Sequence, residues 1–140
     1  MIIGFTGPAG SGKDTCADYL VAHHAFRKLS WAGTLKAGLA AMGFPEPVDR
    51  DDKERIIPGF DFTWREAAQK LGTEWGRALD PDIWVKSVGR QMALAGAQTD
   101  FVISDVRFEN EATMIRNMGG VIVHLQGRRS NLGGAESHAS

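Results

Sequence analysis

The stretch that most constrains this chain lies near its start: Gly7-Pro8-Ala9-Gly10-Ser11-Gly12-Lys13-Asp14-Thr15. It follows the apolar run Ile2–Thr6, which reads as a buried strand. It leads into helix formers from Lys13, with Cys16, Ala17, Leu20 and Val21 at helical spacing. Strand, glycine loop and helix in that order are the context of a phosphate-binding loop, GxxxxGK[ST]. Glycines let successive backbone N–H groups curl around phosphate oxygens, and the helix N-terminus adds partial positive charge. The lysine then brings a full charge to the β/γ-phosphates. An ordinary glycine-rich turn is the competing reading. Against it stand Gly7, Gly10, Gly12 and Lys13, all correctly placed behind a strand. The expected nucleotide-binding set is Gly7, Gly10, Ser11, Gly12, Lys13, Asp14 and Thr15. One position departs from the pattern. Asp14 follows the lysine, and the hydroxyl comes one place later at Thr15. For Asp14 two roles stay open: electrostatic support of the helix N-terminus, or orientation of Mg²⁺-bound water.

The rest of the chain alternates strands and helices. Phe26–Ser30 reads as a second strand and 32–42 as a helix. Residues 43–62 hold three prolines and two glycines around "DRDDKER", and read as a long mobile loop with at most one helical turn. Thr63 and Glu66 form a capping-box pattern ahead of an apolar stripe at Trp64, Ala67, Ala68, Leu71, Trp75 and Ala78. Asp80-Pro81 starts a further helix that stops at Gly96. Phe101–Ser104 is a strand, a helix follows from about Glu109 to Gly119, and Val121–Leu125 is the last strand. This alternation predicts an α/β fold: a mainly parallel sheet in three layers, with helices on both faces. The 140 residues suit one domain, 1–140, and no further strand is evident after Gln126.

Composition excludes some classes of function. The net charge is −1, from 16 basic and 17 acidic residues, so nothing global favours nucleic acid or an anionic membrane surface. The single cysteine, Cys16, allows neither an internal disulfide nor a cysteine-based zinc site. The start "MIIGF" lacks a basic n-region, and no apolar run is long enough to span a bilayer. A cytoplasmic protein is the expectation, with a homodimer left open.

"FVISDVRFENE" supplies a second constellation. Asp105 sits at the carboxyl end of a buried strand, where open parallel sheets bind their ligands, with Arg107 two residues on. A carboxylate there can hold Mg²⁺ through water or accept a proton, and an arginine can fork onto phosphate. A plain surface Asp–Arg pair is the competing reading. Arg128 and Arg129 follow the last strand in a glycine-bearing segment, 126–140, that could act as a lid. A solvated basic turn explains them almost as well.

With these motifs in view, the chain resembles the phage-type deoxynucleoside monophosphate kinases, a P-loop kinase family. The blocks are "GPAGSGKDTCADYL", "LSWAGTLK", "LGTEWGR…DPDIWV" and "VISDVRFENEA", with "GAESH" as a weaker fifth. The GKxT order, as in Gly12-Lys13-Asp14-Thr15, is one that nucleotide kinases often carry. The resemblance implies a P-loop kinase fold and transfer of phosphate from ATP, with Mg²⁺, to a deoxynucleoside monophosphate. It implies Thr15 and Asp105 at the metal, and Lys13, Asp105, Arg107, Arg128 and Arg129 as the catalytic set. It further implies Lys36 and Arg77 at the acceptor's phosphate, and Gln69, Thr73 and Trp84 along a base pocket, with small-molecule nucleotides as the partners. A phage-encoded chain would work in the host cytoplasm. Members of the family continue past the "ESH" block with another strand and usually a helix, which leaves two readings open: a minimal fold without its last strand, or a chain shorter than the full domain. Phosphomevalonate kinases of the animal type share similar "SGKD", "LSGPLK" and "DTR" blocks and are the competing resemblance. A nucleotide-binding module without turnover is a further alternative.

Overall fold

The strand that opens the chain lies inside the sheet, and helices pack against both of its faces. The computed structural model describes residues 1–127. Its strands are β1 (Ile2–Thr6), β2 (Arg27–Leu29), β3 (Phe101–Ile103) and β4 (Val121–His124). All pair in parallel, in the order β2-β3-β1-β4. The helices are α1 (Lys13–His24), α2 (Gly33–Ala41), α3 (Arg50–Lys53), α4 (Trp64–Gln69), α5 (Arg77–Leu79), α6 (Ile83–Ala95) and α7 (Glu109–Asn117). A π-helical segment, Lys70–Gly76, joins α4 to α5. The chain divides into two compact units. Among the described residues, one is Met1–Ser30 with 88–127, and the other is Trp31–Ser87.

The first unit holds the sheet. Phe5 of β1 packs with Ala17 of α1, Phe26 and Val102, joined by Ile3, Leu20 and Leu125. On the opposite face, a Cβ at Gly4 would meet Ile115 of α7, Val106 and Ile122, all at 2.8–3.0 Å. Successive residues of a strand point to opposite faces, so α1 covers one side of the sheet and α7 the other. This is the expected mainly parallel α/β arrangement. The central strand β3 is buried throughout, as a parallel strand covered on both faces must be. Val102 and Ile103 are fully buried, each stabilising the fold by about 1.5–3 kcal/mol of apolar burial.

The second unit gathers around Leu39, Phe44 and Trp64, with Leu35, Ile57, Phe62, Ala67, Ala68 and Leu71 packed against them. Segment 43–62 holds α3, which Asp49 caps by accepting from the Asp52 N–H at 2.8 Å. An antiparallel bridge pairs Ile56 with Thr63, and Phe44, Phe60 and Phe62 form an aromatic cluster. Thr63 caps α4 as its sequence predicts, its hydroxyl accepting from the Glu66 N–H at 3.1 Å.

The apolar stripe behind that cap needs a correction. It holds through Leu71, but Trp75 is 56% exposed and Ala78 is exposed. The cause is the π-helical segment. It adds a residue to each turn, so the position that returns to the buried face is Gly76 rather than Trp75. The Trp84 indole fills that place. A Cβ on Gly76 would lie 2.6 Å from its ring, and its Nε1–H donates to the Gly72 carbonyl at 2.9 Å.

Candidate active site

The glycine loop emerges from the carboxyl end of β1, and Asp105 follows β3 at the same end of the sheet. Gly4 is level with Ile103, and the Val106 N–H donates to the Phe5 carbonyl at 3.1 Å. The loop is built as its sequence predicts. Gly7 has φ +145° and Gly12, the residue before α1, has φ +94°. Side chains rarely adopt such angles, so glycine is needed at both. The Ser11 N–H donates to the Pro8 carbonyl at 3.2 Å and closes the turn. The Ser11 hydroxyl is buried and has no hydrogen-bond partner among the described residues. Lys13 curls back over the loop, its ammonium donating to the Gly7 carbonyl and, at 3.3 Å, to the Pro8 carbonyl. Thr15 is exposed in the first turn of α1.

Asp14 holds this loop to the rest of the sheet edge. Its Oδ1 accepts from the Ser104 hydroxyl at 2.7 Å and from the Lys28 ammonium at 3.2 Å. Lys28 also reaches Asp18 at 3.0 Å. The Ser104 hydrogen bond, followed by the Lys28 ammonium, holds the Asp14 carboxyl below its ordinary value. Ser104 directly precedes Asp105, so the 2.7 Å contact brings Asp105 beside the loop.

Glu111 organises the segment after Asp105. It is 6% exposed, and its Oε1 accepts from the N–H groups of Arg107 (2.8 Å) and Phe108 (2.9 Å). Burial raises its carboxyl above the ordinary value, those two N–H groups lower it, and the Asp105 charge raises it further. A carboxyl raised by folding disfavours the native state as it ionises. Its cost is therefore absent below the ordinary carboxyl range and appears as pH rises through that range and above it. Glu111→Gln keeps an oxygen for both N–H groups and removes the charge. It is expected to flatten the pH dependence of stability and to unfold at no lower urea than wild type at about pH 7. Glu111→Ala leaves two N–H groups without an acceptor, with an expected loss of about 1–3 kcal/mol. Urea unfolding at about pH 3 and about pH 7, on either side of the ordinary carboxyl range, checks both.

In the second unit, the Lys36 ammonium lies 2.9 Å from Glu46. Gln69, Thr73 and Arg77 are exposed along α4, the π segment and the start of α5. Trp84 packs on the turn 72–76, which contains Thr73 and directly precedes Arg77. Trp31 is buried at 7% exposure. In the first unit, Arg107 is exposed just after β3 and Arg90 is exposed on α6. Arg128 and Arg129, with the rest of the lid candidate beyond Gly127, lie outside the described residues.

Ser104, Lys28, Asp18 and Glu111 were not singled out by the sequence. Glu111 carries a local signal, a glutamate three residues after the residue preceding a helix. Lys28 and Ser104 carry none, because only the sheet brings them to Asp14. The hard oxygen donors Thr15 and Asp105 suit Mg²⁺, which is usually held by one or two protein oxygens together with water and substrate phosphate. Among the described residues no group of three His, Cys, Asp or Glu side chains is placed to hold a metal ion. No described helix is long and apolar enough to cross a membrane.

No family model matches the chain. It is 28% identical over 156 residues to a curated protein of Acanthamoeba polyphaga mimivirus named "Putative deoxynucleotide monophosphate kinase". The alignment covers 100% of this chain and 80% of that protein. Among solved structures it is similar to a gluconokinase from Sinorhizobium meliloti, with 16% identity and a TM-score of 0.41. That match covers 90% of this chain and 57% of the gluconokinase chain. The full-length similarity to the viral protein, together with the glycine loop, supports a kinase of the P-loop type.

Proposed function

We propose that the chain transfers a phosphoryl group from ATP to a deoxynucleoside monophosphate, giving ADP and the diphosphate. The observation that carries this reading is the Asp14–Ser104 contact of 2.7 Å, which joins the lysine-bearing loop to the strand end bearing Asp105. The similarity to the viral protein along the whole chain favours a deoxynucleotide as acceptor.

Such a transfer needs positioning and charge neutralisation more than covalent chemistry. The backbone N–H groups of 7–13 cradle the donor's phosphates, and Lys13 neutralises their charge. Thr15 and Asp105 would hold Mg²⁺, which offsets charge on the transferring group when bound. Arg107 faces the phosphates as a forked donor. Lys36 and Arg77 take the acceptor's phosphate, and Gln69, Thr73 and Trp84 the base. Arg128 and Arg129 are assigned to closure over the transferring group.

An ADP-release assay with ATP, Mg²⁺ and a panel of acceptors tests the reading. The panel holds deoxy- and ribonucleoside monophosphates and phosphomevalonate. The fastest release is expected with a deoxynucleoside monophosphate. Fastest release with phosphomevalonate would replace the acceptor, and ATP binding without ADP from any acceptor would replace the activity.

A further inference from the structure

The residue after the loop lysine is usually a hydroxyl, and here it is Asp14. Its contacts assign it a different task. Oδ1 accepts from the Ser104 hydroxyl at 2.7 Å, a short charge-assisted hydrogen bond. Ser104 is 8% exposed and fixed at the end of β3. The same oxygen accepts from Lys28, whose strand pairs with β3 through Lys28↔Val102 and Leu29↔Ile103. Lys28 reaches Asp18 one turn further along α1. The first two turns of α1 are thus tied to the ends of two neighbouring strands.

The two ties differ in strength. The Asp14 side chain is 77% exposed, so its ion pair with Lys28 is screened by water and contributes little. The Ser104 hydroxyl sits on buried backbone, and its hydrogen bond supplies the direction. Asp14 adjoins Lys13, and Ser104 adjoins Asp105. One side-chain hydrogen bond therefore spans the two peptides that carry the groups assigned to the phosphates and the metal. Lys28 also offsets the charge of a carboxylate that would otherwise repel a phosphate in the loop.

We infer that Asp14 is a positioning residue, a latch that sets Lys13 and Thr15 relative to Asp105 through Ser104. The inference rests on the proposed phosphoryl transfer. It departs from the alternative in which Asp14 orients Mg²⁺-bound water. A latch acts through its partner, whereas a metal-side group acts without it.

A double-mutant cycle separates the two. Asp14→Ala, Ser104→Ala and the double variant are assayed for kcat, for the acceptor's KM across a range of Mg²⁺ concentrations, and for urea unfolding. Each single variant is expected to lower kcat by about tenfold, since small misplacements of reacting groups are costly. The acceptor's KM should change by less than about twofold. The double variant should be no worse than the worse single one, and Mg²⁺ should not alter the pattern. Asp14→Asn keeps an oxygen for Ser104 and should recover most of the lost kcat. Additive losses, relief of Asp14→Ala by high Mg²⁺, or an Asp14→Asn variant as impaired as Asp14→Ala would each overturn the latch. So would a fall in urea midpoint with kcat per folded molecule unchanged. A wild-type chain without turnover would fail the functional reading alone. The same cycle read as ATP affinity by calorimetry then decides the latch, non-additive losses keeping it and additive losses overturning it.

Discussion

Lys13→Ala is expected to lower turnover by about a hundred- to a thousandfold while leaving the fold in place. The ammonium donates to two carbonyls of its own loop, Gly7 and Pro8, and belongs to neither apolar cluster. Its removal therefore costs the core nothing. The loop keeps its shape from the positive-φ glycines and from the Ser11-to-Pro8 hydrogen bond. The loss should fall on kcat, because in the proposed transfer the charge on the β/γ-phosphates shifts and Lys13 is the group assigned to it. Steady-state kinetics and thermal unfolding of the same preparation check this. Near-normal kcat would remove Lys13 from the chemistry, and a large fall in melting temperature would mean that the lysine is structural.

Gly7→Ala is expected to reduce stability by about 2–4 kcal/mol and to abolish nucleotide binding with it. A Cβ at Gly7 would overlap the Leu125 carbonyl oxygen and come within 3.2 Å of the Ser11 hydroxyl. The backbone cannot readily retreat, because the Leu125 N–H donates to the Thr6 carbonyl at 2.8 Å and pins the end of β4 to β1. The φ of +145° adds strain for any side chain. Gly10→Ala is the matched control. A Cβ there meets nothing within 4 Å, so only the strain of its φ of +76° applies, about 1–2 kcal/mol. Urea unfolding of both variants checks the ranking. Equal losses would mean that the contact with Leu125 is not what requires glycine at position 7.

Much of the fold was legible because its signals are local. The apolar run before Gly7, the glycines ending α6 and α7, and the Thr63 cap each depend on residues within a few positions. The π-helical segment was not legible. Trp84, distant in sequence, packs on Gly76 and donates to the Gly72 carbonyl within it, and no local pattern encodes that contact. The site divides in the same way. Lys13, Thr15 and Asp105 sit in motifs that announce themselves. Asp14 was ambiguous because its partners come from two other strands, and no spacing between Asp14, Lys28 and Ser104 encodes their meeting. Glu111 was readable in principle. Its role as acceptor for Arg107 and Phe108 follows from a capping pattern that the more conspicuous Asp105 and Arg107 overshadowed.

The central claim is that this loop and strand end move a phosphoryl group from ATP to a deoxynucleoside monophosphate. The most direct measurement follows label from the γ-position of ATP, with Mg²⁺ and one deoxynucleoside monophosphate at a time. Label recovered in the deoxynucleoside diphosphate, lost in Lys13→Ala, is the predicted result. Label that stays in ATP, or appears only as inorganic phosphate with every deoxynucleotide tried, would contradict it.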